Sequence, residues 1–205
     1  MRLPKAIRDN LRFLLVETAS QVEHLQAFFG DCSPSFARRV LDRSGYASNL
    51  KDRIHDSCYR DIAGASRGKA AMLRTVQQIA TELLRISELC CDCIRQFGHL
   101  DNPRRQCRND FARDLQQVID AIGSVDGALQ QGDTQQALRI GRVERRLDRS
   151  FRKQLKQFAT RVKRSKHPRQ LISTMFVAQD IEQMGDALLG IGEAIISCNL
   201  GQPVD

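Results

Sequence analysis

Residues 134–166 read TQQALRIGRVERRLDRSFRKQLKQFATRVKRSK, and this stretch decides the fold class. Its apolar residues recur every three or four positions, which is the spacing of one face of an α-helix. That face consists of Ile140, Val143, Leu147, Phe151, Leu155, Phe158 and Val162. Asp133 precedes the stretch as a capping residue, and Pro168 ends it because proline cannot continue a helix. The stretch therefore predicts one long amphipathic helix.

The same helical spacing extends over nearly the whole chain. It predicts helices at about residues 3–29, 36–63 and 69–97, a fourth between Pro103 and Gln131, and a sixth that ends near Cys198. Ser35 is a candidate cap of the second helix. The residues predicted to face inward on the second and third helices are Val40, Leu50, Ile54, Cys58, Val76, Ile79, Leu83, Ile86 and Leu89. Residues 98–103, with a glycine, an asparagine and a proline, form the strongest predicted boundary.

Two pairs of matching segments indicate an internal repeat. Residues 37–42 match residues 137–142, and residues 84–89 match residues 182–187. A repeat of about 100 residues with three helices each is typical of duplicated helical bundles. The sequence therefore predicts an all-α fold of two tandem three-helix bundles, over residues 1–100 and 101–205.

Composition excludes several classes of protein. The chain has 205 residues, 41% of them apolar, which is enough for a core and argues against wholesale disorder. The sequence contains no apolar stretch of about 18 residues and no leader peptide, so neither a membrane span nor secretion is predicted. Seven irregularly spaced cysteines predict reduced thiols in a cytoplasmic protein, and Cys90, Cys91 and Cys93 are interpreted as core residues rather than zinc ligands.

The positive charge is concentrated in one segment. The net charge is +8, but residues 139–169 contain thirteen Lys or Arg and only two acids, so this segment is +11 and the remainder −3. Its cations lie mainly opposite the apolar stripe, and we predict a partner-binding basic face formed by Arg142, Arg145, Arg149, Arg152, Lys153 and Lys156. A solvated face, an acidic protein, anionic lipid and nucleic acid are the alternatives. Nucleic acid is disfavoured because the face offers no aromatic residue for stacking.

Two pairs of acids stand four residues apart, Glu144 with Asp148 and Glu182 with Asp186. Each pair projects from one side of its helix, and antiparallel packing would bring the four carboxylates together. Gly185 would allow the close approach. Oxygen clusters suit Mg²⁺, Mn²⁺, Ca²⁺ or iron, but acids at this spacing are usually solvated or paired with arginine. No nucleophile, P-loop or dinucleotide motif indicates an enzyme.

These segments resemble the PhoU family. Residues 181–193, IEQMGDALLGIGE, are similar to the family signature, and residues 133–151 to the helix that precedes it. Residues 37–42, 54–59 and 83–88 look like the matching elements of the first half. The resemblance covers roughly residues 5–199.

The resemblance implies a pair of three-helix bundles and a regulatory role without catalysis. Such proteins dock to a phosphate transporter or a membrane sensor kinase and repress the phosphate-starvation response; others accompany sodium-phosphate cotransporters. Peripheral membrane contact and a homodimer both remain open.

The family resemblance also implies metal clusters on E/D-x-x-x-D motifs. In the first half the corresponding positions are Ser44, Ser48, Leu84 and Glu88, so one carboxylate of four remains. A divalent metal or iron is therefore expected only in the second bundle, at Glu144, Asp148, Glu182 and Asp186.

Overall fold

The computed structural model describes residues 3–98 and 111–201. Within these ranges the chain forms helices and no strands, which confirms the predicted all-α class. The helices are α1 (Lys5–Asp31), α2 (Pro34–Asp42), α3 (Ser44–Ile62), α4 (Arg67–Gly98), α5 (Ala112–Gln131), α6 (Thr134–Gly141), α7 (Glu144–Arg161) and α8 (Pro168–Leu200). The predicted boundary at residues 98–103 falls almost wholly outside the described residues.

Two helices predicted as continuous are each interrupted by a tight turn. The predicted helix at 36–63 is α2 followed by α3, with Arg43 between them, and that at 134–166 is α6 followed by α7. At the second interruption the Val143 amide bonds the Ile140 carbonyl, one residue closer than in an α-helix. The interruptions lie about 100 residues apart and so follow the sequence repeat. Apolar periodicity did not reveal them because it continues across both turns.

The capping predictions had mixed outcomes. Asp133 caps α6, because its carboxylate accepts a bond of 2.9 Å from the Gln136 amide. The expectation that Ser35 caps the second helix is wrong, since α2 already begins at Pro34 with Ser33 before it. Pro34 suits the first helical position because its missing N–H would have no partner there.

One core of buried apolar residues extends through both halves of the chain. The most extensive helix packing is between α4 and α8, and α1 packs on α5, so two interfaces connect the halves. Inside each half, α3 packs on α1 and α4, whereas the main partner of α7 is α8. The predicted division near residue 100 remains a prediction, because this continuous core neither requires nor excludes it.

The predicted core is largely confirmed, with one clear exception. Val40, Leu50, Ile54 and Cys58 of the second predicted helix are buried, as are the predicted core residues of α4. The stripe on α7, in contrast, is buried only at its beginning, and Leu147 is the one fully buried residue of that helix. Beyond it Phe151 and Phe158 are half-buried, whereas Leu155 is exposed, which corrects the predicted inward position.

The cysteines also divide into two groups. Cys90, Cys91 and Cys93 are buried, which confirms that they are core residues. The prediction that all thiols are reduced is wrong at Cys32, which is disulfide-bonded. Cys32 ends α1 in the left-handed conformation (φ 54°), and its amide bonds the Phe28 carbonyl at 2.7 Å.

Candidate functional site

The predicted carboxylates lie where the start of α7 crosses the middle of α8. Glu144 and Asp148 occupy the first two turns of α7, and Glu182 and Asp186 lie on α8. A Cβ on Gly185 would stand 3.1 Å from the Glu144 Cα and 3.1 Å from the Leu147 Cδ1. The backbones therefore approach closely because position 185 has no side chain, as the sequence predicted.

The electrostatics of Glu182 show that the three other predicted acids lie close to it. Burial raises the pKa of Glu182, and the charges of Asp186, Asp148 and Glu144 raise it further, while Arg85 opposes them. Like charges near one carboxyl favour its protonated form. The structure therefore brings the two predicted pairs into one electrostatic neighbourhood, which we call the carboxylate cluster.

A fifth acid, Glu82 of α4, joins the carboxylate cluster and was not predicted. Burial raises the pKa of Glu82, and the charge of Asp186 adds to the shift. Its buried Oε2 has no hydrogen-bond partner, and the Arg85 Nη1 lies 3.9 Å away. Glu82 belongs to the first half of the chain, and no second acid stands four residues before or after it in the sequence. Only the packing of α4 on α8 reveals it.

The side chains of the carboxylate cluster do not form a metal centre as they stand. Among the described residues, no group of three His, Cys, Asp or Glu side chains is arranged to hold a metal ion. The Asp148 carboxylate accepts a bond of 2.8 Å from the Arg152 Nε, so one of its oxygens already has a cationic partner. This pairing matches the alternative in which acids near arginines form ion pairs on the helix surface.

The corresponding place in the first half is a polar cleft. Three of the four positions matched there, Ser48, Leu84 and Glu88, line one cleft of about 410 Å³. Asp92 and Arg95 also line it, and these two side chains form an ion pair of 2.7 Å. The matched positions of the two halves therefore differ in chemistry, a polar cleft with an ion pair in the first half and a group of acids in the second.

The predicted basic face is present on the outside of α7 and of the turn that precedes it. All six of its residues are exposed: Arg142, Arg145, Arg149, Arg152, Lys153 and Lys156. Arg152 pairs with Asp148, and the Arg149 Nε bonds the Arg145 carbonyl at 3.0 Å. The other members have no ion-pair partner within the described parts of the chain. The face therefore offers uncompensated positive charge to a partner.

A second titratable group lies in the interface between α4 and α8. The Cys93 Sγ donates to the Asp180 Oδ2 at 3.8 Å. Burial, together with the charge of Asp92, raises the pKa of Asp180 to about 6. Burial also raises the pKa of the Cys90 and Cys93 thiols well above the usual range, so these thiols stay protonated and unreactive.

Comparisons with known proteins agree with the resemblance found in the sequence. The PhoU domain model matches residues 112–195. The phosphate-specific transport system accessory protein PhoU of Serratia marcescens is 26% identical over 176 residues, which cover 82% of this chain and 71% of that protein. Its counterpart in Escherichia coli K12 is 25% identical over 81% of this chain and 70% of its own length.

Solved structures show the same fold. The crystal structure of PhoU from Pseudomonas aeruginosa superposes with a TM-score of 0.85 and 17% identity, covering 96% of both chains. The phosphate transport system regulatory protein PhoU from Streptococcus pneumoniae gives a TM-score of 0.80 at 14% identity, over 98% of this chain and 95% of that one. The overall fold of the described residues is therefore that of these proteins.

Proposed function

We propose that this chain, a member of the PhoU family, is an accessory protein of phosphate transport that regulates by docking and without catalysis. The observation that supports this most is the likeness to accessory proteins over about four-fifths of the chain, which includes both halves. The expected partner is a phosphate transporter, a membrane sensor kinase or both. We place the chain in the cytoplasm, where the inner side of both partners is accessible.

The basic face of α7 is the proposed docking surface. It combines exposed cations with a helix whose main packing partner is α8, so its outer side is available to a partner. Uncompensated charge raises the association rate with an oppositely charged surface and helps to orient it. The matching partner surface would be acidic. This proposal uses Arg142, Arg145, Arg149, Arg152, Lys153 and Lys156.

Metal binding by the carboxylate cluster remains a separate proposal. Oxygen ligands from Glu144, Asp148, Glu182 and Asp186 would suit a divalent metal or iron after their side chains rearrange. Purified protein is analysed for bound metal beside a variant with all four acids changed to alanine. Metal in the wild type and none in the variant would support the proposal. If the wild type and the variant contain the same amount of metal and regulate equally, the carboxylate cluster is only surface charge.

Deletion of the gene in its host tests the proposed function. Alkaline phosphatase activity is measured in phosphate-replete medium, together with phosphate uptake. High activity despite plentiful phosphate is expected, because the repressing accessory protein is lost. Normal repression with altered uptake would instead favour the alternative, an accessory subunit of a sodium-phosphate cotransporter. Normal repression and normal uptake would contradict both.

A further inference from the structure

The end of the α7–α8 hairpin has an unusual charge distribution. We call residues 155–176 the hairpin tip; they include the last part of α7, the connecting turn and the first part of α8. The tip contains no Asp or Glu and six exposed cations: Lys156, Arg161, Lys163, Arg164, Lys166 and Arg169. None of the six has an ion-pair partner within residues 3–98 and 111–201. Solvated helix faces normally mix charges of both signs, and this one does not.

Large apolar side chains are exposed among these cations. The exposed fractions of Leu155, Ile172 and Phe176 are 45%, 43% and 47%. Ile172 and Phe176 stand one turn apart and so lie on the same side of α8. A cleft of about 420 Å³ lies between the hairpin and Phe111, and its lining includes Phe158 and Met175 but none of these three exposed residues. Exposed apolar groups beside polar ones mark a binding surface more often than single scattered residues do.

Packing explains why the tip is exposed. The Asp114 Oδ2 of α5 accepts a bond of 2.6 Å from the Ser150 Oγ of α7, just before the tip begins. Over its whole length α7 packs mainly on α8. Leu155, Ile172 and Phe176 lie outside the hydrophobic core of the described residues.

We propose that the hairpin tip binds the surface of an anionic lipid bilayer. Its cations would contact acidic headgroups, and Leu155, Ile172 and Phe176 would enter the boundary between headgroups and acyl chains. The proposed binding is peripheral: these side chains reach the headgroup region from one side of the bilayer. Among the described residues, no helix is long and apolar enough to cross a membrane. The proposal goes beyond the docking function and rests on different residues, apart from Lys156.

Two features favour a lipid surface over other polyanions. The cations are spread over two helices and their turn, which suits a fluid charged surface better than a shaped acidic groove. The exposed apolar residues are mostly aliphatic, whereas single-stranded nucleic acid is bound through stacked aromatic rings. Acidic protein and nucleic acid are therefore outcomes of the test rather than parts of the proposal.

Vesicle co-sedimentation tests the proposal with the full chain. The vesicles contain phosphatidylcholine alone or with about 30% phosphatidylglycerol, which reproduces an acidic surface, at about 100 mM salt. We expect binding only to the acidic vesicles. Changing Lys163, Lys166 and Arg169 to glutamine should weaken it about 100-fold, since each cation near such a surface contributes roughly a factor of five. The variant I172S/F176S should also weaken it, by about tenfold.

Matched variants distinguish the contribution of the hairpin tip from that of positive charge elsewhere on the protein. Changing Arg38, Arg53 and Arg74 to glutamine removes three exposed cations from the first half and should alter binding less than twofold. Lysine in place of Arg161, Arg164 and Arg169 should preserve binding, which also shows that substituted tips fold. Absence of binding to acidic vesicles, or equal loss in both glutamine variants, would overturn the proposal. The proposal would also be overturned if the protein bound duplex DNA more tightly than acidic vesicles and the variant I172S/F176S left that DNA binding unchanged.

The outcome is independent of the genetic test. Alkaline phosphatase can be repressed normally while vesicle binding is absent, and the reverse can also occur. Failure of this proposal is therefore distinguishable from failure of the proposed function.

Discussion

Helices α3 and α7 hold corresponding places in the two halves but differ in burial and charge. Helix α3 contains three Lys or Arg and three Asp, whereas α7 contains seven Lys or Arg and two acids. Helix α3 packs on α1 and α4 and buries Ala47, Leu50, Ile54 and Cys58, while α7 buries Leu147 alone. A duplicated fold can therefore keep its backbone while one copy serves packing and the other presents a charged surface.

The largest expected effect is on the free energy of unfolding of core variants. These variants test whether the two halves of the chain share one core. Leu83 of α4 and Leu188 of α8 are fully buried, and both belong to the continuous core. Replacing either by alanine should cost about 3 kcal/mol of unfolding free energy, from lost burial and the cavity left behind. Urea unfolding, followed by circular dichroism, should show one transition that moves for both variants. Two transitions, of which each variant moves only one, would show that the halves unfold separately.

The second-largest expected effect on stability comes from the close packing of α6 on α8. Both helices belong to the second half of the chain. A Cβ on Gly192 would lie 2.8 Å from the Ala137 carbonyl oxygen and 3.1 Å from the Gly141 amide. Gly192→Ala should therefore cost about 2 kcal/mol, because backbone atoms must move. Gly123→Ala is the control, since nothing lies within 4 Å of its Cβ, and it should stabilise α5 by about 0.5–1 kcal/mol. Equal effects of the two changes in thermal unfolding would contradict the close approach.

Asp180 provides a pH-dependent test of the interface between the halves. Its pKa is raised from 3.8 to about 6, so between these values the folded protein binds more protons than the unfolded chain. This group's contribution to stability therefore falls as pH rises through that window. Asp180→Asn should raise the free energy of unfolding by about 1 kcal/mol at pH 7.5, allowing for partial exposure, and change nothing below pH 3.8. A variant that is stabilised equally at both pH values would show that repulsion and burial of the charge are not the cause.

The smallest expected effect on stability compares the carboxylate cluster with the polar cleft at the matched positions of the first half. The pKa of Glu182 is raised, so its charge opposes folding at neutral pH, and Glu182→Gln should stabilise the protein by less than about 0.5 kcal/mol. The effect should disappear as the pH falls below the ordinary pKa of 4.5. Glu88→Gln, at the corresponding position of the first half, is the control and should stabilise the protein less than Glu182→Gln at neutral pH. A destabilised Glu182→Gln would indicate that its negative charge is needed, as metal binding would require.

The helical spacing of the residues was enough to predict the all-α fold class, most of the buried core and the proximity of the two acid pairs. Those features follow from residue spacing along single helices and from one glycine, Gly185. The turns at Arg43 and Val143 were missed because the apolar pattern runs through them. Leu155 was placed inward because a helical wheel does not show where a neighbouring helix begins.

The features that could not be predicted depend on packing between distant segments. Glu82 meets Asp186 only because α4 packs on α8, and no spacing in the sequence connects these two residues. The disulfide at Cys32 was missed since an odd number of cysteines was taken to indicate that all are free. Resemblance to the PhoU family supplied the biological setting, which geometry alone would not have provided.

The central claim is that the second half, through α7, provides the regulatory surface. It is tested by returning two variants to the deletion strain and measuring alkaline phosphatase in phosphate-replete medium, with protein levels matched by immunoblot. Arg142, Arg145 and Arg149 changed to glutamine should fail to restore repression. The matched first-half change of Arg38, Arg53 and Arg74 should restore it fully. Equal repression by both variants would contradict the claim.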